Sequence, residues 1–333
     1  MSLFPFADYW WFYLAFTGFI VVLLALDLGL FNRRAHEIGF REAGLWVLVW
    51  AALSAAFCYG MYVYAGERFG EAIGRRLALE FATGYLVEQA LSVDNMFVFV
   101  LIFGYFSIPR KHQHRVLFYG ILGALIFRGI FIAMGAALLR YEWVVVLFGV
   151  FLIFTGAKMF FGKETEIDPN KNLVLRLAQR FLPLTASQHG SHFIVRERGI
   201  LVGTPLLVTL LVLEFTDILF AIDSVPAIFA ITREPLVVFT SNVFAILGLR
   251  SMYFLLAGAV GKFHLLRYGL GVILVFIGLK MSWLNELWGG EFPTGLSLSI
   301  IGGVLAVTIA LSLAFPKREA AQEHPVDAAR PHK

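Results

Sequence analysis

The sequence predicts an all-α polytopic membrane protein with about nine transmembrane helices. Of its 333 residues, 59% are hydrophobic and only 15% are charged, whereas soluble globular domains average about 25% charged residues. Apolar runs of about 18 residues or more recur along the whole chain, and each can cross a bilayer as a helix. The predicted spans cover residues 8–30, 45–65, 78–106, 116–139, 142–162, 200–231, 236–260, 265–288 and 296–315.

Basic residues delimit these spans and predict their orientation. In chain order, the eight connections carry 3, 3, 3, 1, 6, 1, 2 and 0 Lys or Arg residues, and the C-terminal tail carries 4. With the N-terminus outside, the inner segments hold 18 of these residues and the outer segments hold 5, counting Arg267 at the start of span 8 as inner. Since Lys and Arg concentrate on the cytoplasmic side, we expect a multi-pass protein of the inner (plasma) membrane with a cytoplasmic C-terminus.

The chain is predicted to form one transmembrane domain over residues 1–315. The long connection 163–199 is expected in the cytoplasm. Within it, the segment 173–182 alternates basic and apolar positions at helical spacing, which fits an interfacial amphipathic helix or an ordinary connector helix equally well. The polar tail 316–333 is expected to be disordered. Cys58 is the single cysteine of the chain, so internal disulfides and Cys-ligated metal clusters are excluded.

The second half of the chain repeats ionisable positions of the first. Spans 3–5, about residues 78–162, align with spans 6–8, about residues 200–288. The aligned pairs are Glu88 with Asp217, Asp94 with Asp223, Arg128 with Arg250, Arg140 with Lys262, and Lys158 with Lys280. Because three spans are an odd number, the second copy enters the membrane from the opposite side. Such inverted repeats are typical of secondary transporters, whose sites lie near the midplane between the repeats.

Two acidic stretches lie near the middle of spans 3 and 6. They supply Glu88, Asp94 and Asn95 in the first stretch and Glu214, Asp217 and Asp223 in the second. An acidic residue at the centre of a membrane helix costs roughly 2.5 to 3.5 kcal/mol, so such residues indicate a pathway or ligand site. Two carboxylates six positions apart point about 240° away from each other on a straight helix. Local unwinding would bring them together, and Pro226 favours unwinding in the second stretch.

The donor groups in these stretches are all oxygen atoms, which suit Mn²⁺, Mg²⁺ or Ca²⁺. We therefore predict a divalent metal site formed by the six residues of the two stretches. Ser92, Ser224 and Asn242 are candidate additional ligands, and Asn242 is equally well explained as a helix-packing residue. All eight His residues fall in loops or the tail, so no haem and no His-rich metal site is expected in the core. No nucleotide or nucleic-acid partner is expected either, because the basic residues flank helix ends.

Apart from Arg267 at the very start of span 8, four basic residues fall within the predicted spans: Arg128, Lys158, Arg250 and Lys280. In one interpretation they simply form buried ion pairs with the carboxylates. In a second, compatible interpretation, metal binding releases these basic partners, so that they compensate charge and gate the site.

Four strings of the sequence resemble the TerC family of membrane proteins. They are Glu88–Val98, Leu213–Ala230, Ser241–Tyr253 and Ala25–Phe31, within a resemblance that covers about residues 9–315. The layout is most similar to the Alx-type members, in the wider group of LysE-type transporters. The resemblance implies export of Mn²⁺, with Glu88, Asp94, Asn95, Glu214, Asp217 and Asp223 carrying the metal. The family name comes from an association with tellurite resistance, and Alx-type members are linked to alkaline pH and a manganese-sensing riboswitch.

The sequence thus predicts a non-enzymatic Mn²⁺ exporter that works by alternating access with H⁺ as the coupling ion. One alternative is a carrier of another cation, or a tellurium-resistance protein that does not itself transport tellurite. Another is an intramembrane aspartyl protease with Asp94 and Asp223 as its dyad, although the Gly-x-Gly-Asp string of such enzymes is missing. The oligomeric state and any metal-delivery partner are left open by the sequence.

Overall fold

The computed structural model describes residues 3–26, 39–139, 141–161, 183–185, 190–197, 199–257, 265–288 and 292–315, without the side chains of Leu26, Asp94 and Phe97. Within these residues, nine helices are long and apolar enough to cross a membrane, which confirms the predicted fold class. They are α1 (Phe6–Leu26), α2 (Phe40–Phe69), α3 (Glu71–Tyr105), α4 (Arg110–Leu138), α5 (Glu142–Phe161), α6 (Pro205–Phe229), α7 (Pro235–Ala257), α8 (Leu266–Leu287) and α9 (Thr294–Ala314).

A short antiparallel hairpin precedes α6. Strand β1 (Ile194–Glu197) pairs with strand β2 (Ile200–Gly203), and Gly199 at the turn has a φ of 83°. The prediction that span 6 begins as a helix at residue 200 is therefore wrong at its start. Strand pairing satisfies the backbone of these apolar residues, and the helix begins only at Pro205, whose fixed φ suits a first helical turn. The amphipathic segment 173–182 and the tail 316–333 lie outside the described residues.

The helices of the two predicted repeats contact each other as a two-fold axis requires. If α3, α4 and α5 correspond to α6, α7 and α8, then the α3–α7 contact corresponds to the α4–α6 contact, and both are extensive. The contact between α5 and α8, which the axis would map onto itself, is the most extensive in the structure. These contacts are the ones expected if the sequence repeat corresponds to a structural one, with the helices of one repeat packed between those of the other.

Glycines bring the backbones of α5 and α8 into direct contact. A Cβ atom on Gly278 would lie 2.6 Å from the carbonyl oxygen of Gly149, and one on Gly156 would lie 2.6 Å from that of Gly271. Gly149 corresponds to Gly271, and Gly156 to Gly278, at the same 122-residue spacing that aligns Lys158 with Lys280. The contact is thus reciprocal, as expected at a two-fold axis. Close backbone approach through small residues is a common mode of helix packing in membranes.

Helices α3 and α7 form the centre of the bundle, and α1, α2, α5 and α9 surround it. Helix α7 is buried along most of its length. Phe81, Phe244 and Phe57 form a ring cluster that joins α2, α3 and α7. By contrast, few residues of α1 and α2 are buried, as expected for helices that face lipid.

The backbone of both acidic stretches is helical. Helix α3 is continuous over Glu71–Tyr105, and α6 continues through Pro226 to Phe229. The predicted local unwinding is therefore wrong for both helices. Pro226 lies in the last turn of α6, so the single hydrogen bond that it removes, to the carbonyl of Ile222, does not interrupt the helix before its end. The irregular turn is elsewhere, at the π-helical segment Lys280–Leu284 of α8, which the sequence did not indicate.

Candidate functional site

A buried arginine connects the two repeats at the centre of the bundle. Arg128 on α4 is 1% exposed and donates hydrogen bonds to the carboxylate of Glu88 on α3 and, from Nη1 over 2.7 Å, to Oδ1 of Asn242 on α7. Its Nη2 lies 3.6 Å from Oδ1 of Asp217 on α6. Four helices thus meet around one guanidinium. Glu88 is fully buried, so these charges interact in a setting where water screens them little.

Helix length and spacing explain why these residues meet. Glu88 lies 17 residues into the 35-residue helix α3, and Asp217 lies 12 residues into the 25-residue helix α6, so both are near the helix centres. In the repeat alignment Glu88 corresponds to Asp217. The two-fold arrangement therefore brings the two acidic positions toward the same central point, where Arg128 lies between them.

Glu214 lies next to this network, one helical turn before Asp217. It fits against Gly123 of α4, where a Cβ atom would overlap its carboxylate. Glu214, Asp217 and Arg250 line a cavity of about 20 Å³ together with apolar side chains of α3, α4 and α7. This volume suffices for about one water molecule, and hence for one small dehydrated cation. A larger residue at position 123 would therefore displace the carboxylate of Glu214 from this place.

Several buried oxygen atoms at this centre lack a donor. Among the described residues, no hydrogen-bond donor reaches Glu88 Oε2, Asp217 Oδ2 or Glu214 Oε2 within hydrogen-bond geometry, and the hydroxyl of Ser92 also lacks a partner. Buried polar atoms are nearly always hydrogen-bonded. A cluster of acceptor oxygens without donors is consistent with a place that receives a cation.

Asp223 belongs to a different neighbourhood. Its Oδ1 accepts a hydrogen bond of 3.4 Å from the hydroxyl of Thr155 on α5, and Lys158 on the same helix acts on it electrostatically. Asp223 is only half-buried and Lys158 is exposed. Because α6 remains helical, Asp217 faces α4 while Asp223 faces α5.

The remaining predicted site residues do not all lie at this centre. Asn95 and Ser92 are buried on α3, and Ser224 on α6 lies beside the Glu88 carboxylate. Lys280 is buried at the start of the π-helical turn and lines a separate polar cavity of about 150 Å³. Asp94 lies on the helical backbone of α3, and its side chain is outside what the structure describes.

The six predicted ligands are not gathered at one point by the described side chains. Within the described part of the chain, no group of three or more His, Cys, Asp or Glu side chains is close enough to hold a metal ion. The carboxylates of Glu88 and Asp217 instead both contact the Arg128 guanidinium. The buried cation at this point is the Arg128 guanidinium, and oxygens of Glu88, Asn242 and Asp217 lie around it.

Two residues near the site were not among the predicted site residues. Thr155 is the hydroxyl partner of Asp223, and Gln89 on α3 donates to the carbonyl of Ala245 on α7 over 3.5 Å. Gln89 was visible in the acidic stretch as a polar residue within a membrane helix. Thr155 carried no such signal, because an isolated Thr is common in apolar spans.

A second acidic cluster lies at the end of the bundle where α3 begins. Glu234, just before α7, accepts hydrogen bonds from the backbone N–H groups of Leu3, at 2.8 Å and 3.0 Å, and of Phe4, at 3.4 Å. Burial raises the pKa of Glu234 above its ordinary value of 4.5, against the effect of these two N–H groups, and nearby Glu80 raises it further. Glu80 itself accepts hydrogen bonds from Arg76 and Thr232. This cluster fixes the first residues of the chain to the start of α7.

The nine membrane-crossing helices within the described residues, with ionisable groups buried between two related halves, define a polytopic integral membrane protein with a polar centre. Residues 73–320 match the model of the integral membrane protein TerC family. The chain belongs to this family, which confirms the resemblance found in its sequence.

Three relatives illustrate the range of similar proteins. The chain is 49% identical over 299 residues to the uncharacterized membrane protein STKORF319 of Myxococcus xanthus, covering 90% of each chain. It is 44% identical over 299 residues to the putative membrane-bound redox modulator Alx of Escherichia coli (strain K12), covering 89% of this chain and 92% of the relative. It is 42% identical over 261 residues to the thylakoid membrane protein TERC of Arabidopsis thaliana, covering 78% and 67%. No solved structure matches this chain.

Proposed function

We propose that this protein exports Mn²⁺ from the cytoplasm across the inner membrane, as a secondary transporter that works by alternating access. In this proposal, Mn²⁺ binds between α3 and α6, and inward flow of H⁺ drives its release on the other side. The proposal gives the protein a transport role and no catalytic one.

The observation that carries the proposal is the group of donor-free oxygens between the two repeats. Glu88, Asp217 and Glu214 each have a carboxylate oxygen without a donor among the described residues. Buried carboxylates in a membrane protein are costly and generally belong to an ion pathway or a proton relay. Their position at the contact of two related three-helix units is where transporters with inverted repeats bind their substrates.

The kind of donor supports a hard divalent cation as substrate. Carboxylate, amide and hydroxyl oxygens are the ligands that Mn²⁺, Mg²⁺ and Ca²⁺ prefer. All His residues lie outside the predicted spans and the single Cys58 lies on α2, so the acidic stretches offer no soft ligand. The choice of Mn²⁺ within this class rests on the family resemblance.

The name of the Alx relatives contains the words redox modulator. The thiol of Cys58 donates to the carbonyl of Ala78 on α3, far along that helix from Glu88. With one cysteine, the chain forms no internal dithiol pair. Transport of a redox-active metal would change the redox state of a cell without any thiol chemistry in the transporter, which reconciles that name with the proposed function.

Flux through the purified protein tests the proposal directly. The full chain is reconstituted in proteoliposomes that contain a Mn²⁺-sensitive dye, and uptake is recorded with and without a pH gradient. We expect saturable Mn²⁺ flux that accelerates when H⁺ moves in the direction opposite to Mn²⁺. Absence of Mn²⁺ flux under every gradient would contradict the proposal.

Matched controls separate the alternatives. Arg115→Gln removes a guanidinium that contacts Ser191 and Phe193, away from the site, and is expected to leave flux unchanged. Faster flux of Ca²⁺ than of Mn²⁺ would favour the alternative of another cation. If Glu88→Gln abolished function as fully as Asp223→Asn, a two-aspartate protease would be ruled out, because such a dyad needs no further carboxylate.

A further inference from the structure

Arg128 occupies the position that a cationic substrate would take. Its guanidinium lies among oxygens of Glu88, Asn242 and Asp217, which come from both repeats. It is one of the largest fully buried side chains in the protein. Arg128 forms salt bridges with the carboxylates of both Glu88 and Asp217.

We infer that Arg128 is a resident cation that competes with the transported metal for the same oxygen donors. The inference rests on the proposed transport function. It states which side chain binds the oxygen donors of the site when no metal is bound. When metal enters, the guanidinium withdraws from Glu88 and Asp217. When metal leaves, the guanidinium returns to them.

Electrostatics at the site make the two occupants mutually exclusive. A guanidinium and a divalent cation repel each other, and this repulsion is strong where water is excluded. The carboxylate of Glu88 has one oxygen on Arg128 and one without a donor. A metal ion that took both oxygens of Glu88, or that bridged Glu88 and Asp217, would have to pass through the space that Arg128 fills.

The position of Asn242 fits this role. Its Oδ1 accepts the hydrogen bond from Arg128, and its amide group has no acceptor among the described residues. Nη1 of Arg128 carries two N–H groups, so it can donate to Glu88 and Asn242 at once, while Nη2 points towards Asp217. Asn242 thus holds the arginine in the empty site, whereas the sequence offered it either as an additional metal ligand or as a helix-packing residue.

A resident cation has a consequence for the transport cycle. An exporter must return to its starting state without metal, and bare carboxylates in the membrane interior make this return unfavourable. With Arg128 on Glu88 and Asp217, part of the negative charge of the empty site is compensated, which makes the return easier. Without Arg128, the protein would return easily only with metal bound, so it would exchange Mn²⁺ for Mn²⁺ but would export little net Mn²⁺.

Equilibrium binding tests the competition. Mn²⁺ binding to the full chain in lipid nanodiscs is measured from the loss of the free Mn²⁺ electron paramagnetic resonance signal. Removing a competitor that occupies nine-tenths or more of the empty sites lowers the apparent Kd about tenfold or more. We expect this tightening for Arg128→Gln. For Arg128→Lys we expect a smaller one, because the positive charge remains while the guanidinium that reaches both Glu88 and Asp217 is lost.

Transport measurements complete the test. In proteoliposomes, Arg128→Gln is expected to keep exchange of radioactive Mn²⁺ for unlabelled Mn²⁺, while net efflux falls by about tenfold or more. Arg115→Gln is expected to match the wild type in both measurements. A general loss of folding would instead reduce exchange and net efflux by the same factor.

The outcomes separate this inference from the proposed function. If the wild type binds Mn²⁺ and folded Arg128→Gln binds it no more tightly, the resident-cation role is overturned and the transport function stands. If Arg128→Gln does not fold, Arg128→Lys decides, since binding no tighter than that of the wild type overturns the role. If the wild type binds no Mn²⁺, both the function and this inference fail.

Discussion

Arg128 donates from Nη1 to Oδ1 of Asn242 over 2.7 Å, which joins the middle helix of the first repeat to the middle helix of the second. The same guanidinium binds Glu88. One buried cation therefore links three helices at the centre of the bundle. Changes to any partner of Arg128 are expected to affect both the stability of the helix assembly and the binding of substrate.

Glu88→Gln is expected to reduce Mn²⁺ flux by at least about 100-fold, because mutating even a residue that only supports a metal ligand typically costs 10- to 100-fold. It also leaves Arg128 without its main counter-charge, and an uncompensated buried charge costs about 3–5 kcal/mol. We therefore expect lower thermal stability, measured by tryptophan fluorescence on heating. The double variant Glu88→Gln/Arg128→Met removes both charges and should regain stability without regaining flux. If the double variant were less stable than Glu88→Gln, the pairing of these two side chains would not be a stabilising feature.

Asp223→Asn is expected to separate transport from binding. Asp223 faces Thr155 and Lys158 rather than the Arg128 network. We expect net Mn²⁺ flux to fall strongly, while Mn²⁺ binding in nanodiscs weakens less than in Asp217→Asn. Thr155→Val removes the hydroxyl donor and keeps the side-chain size, and it should have a milder effect of the same kind. Equal loss of binding in the Asp217 and Asp223 variants would show instead that both carboxylates ligate the metal together.

Gly278→Ala is expected to destabilise the contact between α5 and α8. Its Cβ would lie 2.6 Å from the carbonyl oxygen of Gly149, so the helices would have to separate. Overpacking of this kind costs about 1–3 kcal/mol, which a fall in the midpoint of thermal unfolding would reveal. Gly302→Ala on α9 is the control, because a Cβ there meets no atom within 4 Å. A similar midpoint for both variants would contradict the close packing of α5 on α8.

The raised pKa of Glu234 predicts that the stability of the folded protein depends on pH. This pKa is raised above 4.5 chiefly by burial, so the folded protein binds this proton more strongly than the unfolded chain. The stabilisation is complete below pH 4.5 and is lost as pH rises through the raised pKa. Tyr13, Glu80 and Arg76 are the charged or titratable groups that act on or with it.

Glu234→Gln should therefore flatten the dependence of thermal stability on pH in the range just above 4.5. The comparison is made by heating both proteins in detergent at a series of pH values. The control is Glu67→Gln, an exposed residue near the end of α2. An unchanged slope in Glu234→Gln would show that another group is responsible for it.

Much of the helix arrangement was predictable because membrane spans are local features of a sequence. The fifth predicted span, 142–162, agrees with α5 to within one residue, and the ninth, 296–315, agrees with α9 to within two. The start of α6 was not predictable, because Ile200–Gly203 is as apolar as the helix that follows. Its pairing with Ile194–Glu197 is a contact between two segments, which hydropathy does not record.

Several of the residues that meet at the centre could be picked out from the sequence, because charge within an apolar span is conspicuous. Glu88, Arg128 and Asp217 were identified as site residues, and the structure brings them together. Unwinding was considered on the assumption that all the carboxylates of the two stretches bind one metal ion. Both stretches are helical instead. The straight helices give Asp217 and Asp223 different neighbours, on α4 and α5 respectively.

The sequence by itself determined the all-α membrane fold, the internal repeat and the presence of buried carboxylates and arginines. Each follows from composition, from periodicity or from comparison of the two halves. These need only the order of the residues along the chain. Only the tertiary structure decided which of these groups meet. Arg128 binds Glu88, which lies 40 positions away in the sequence, and Asn242, which lies 114 positions away. Such contacts depend on how each helix is rotated and packed against its neighbours, and the glycine contacts between α5 and α8 show how closely that packing is set.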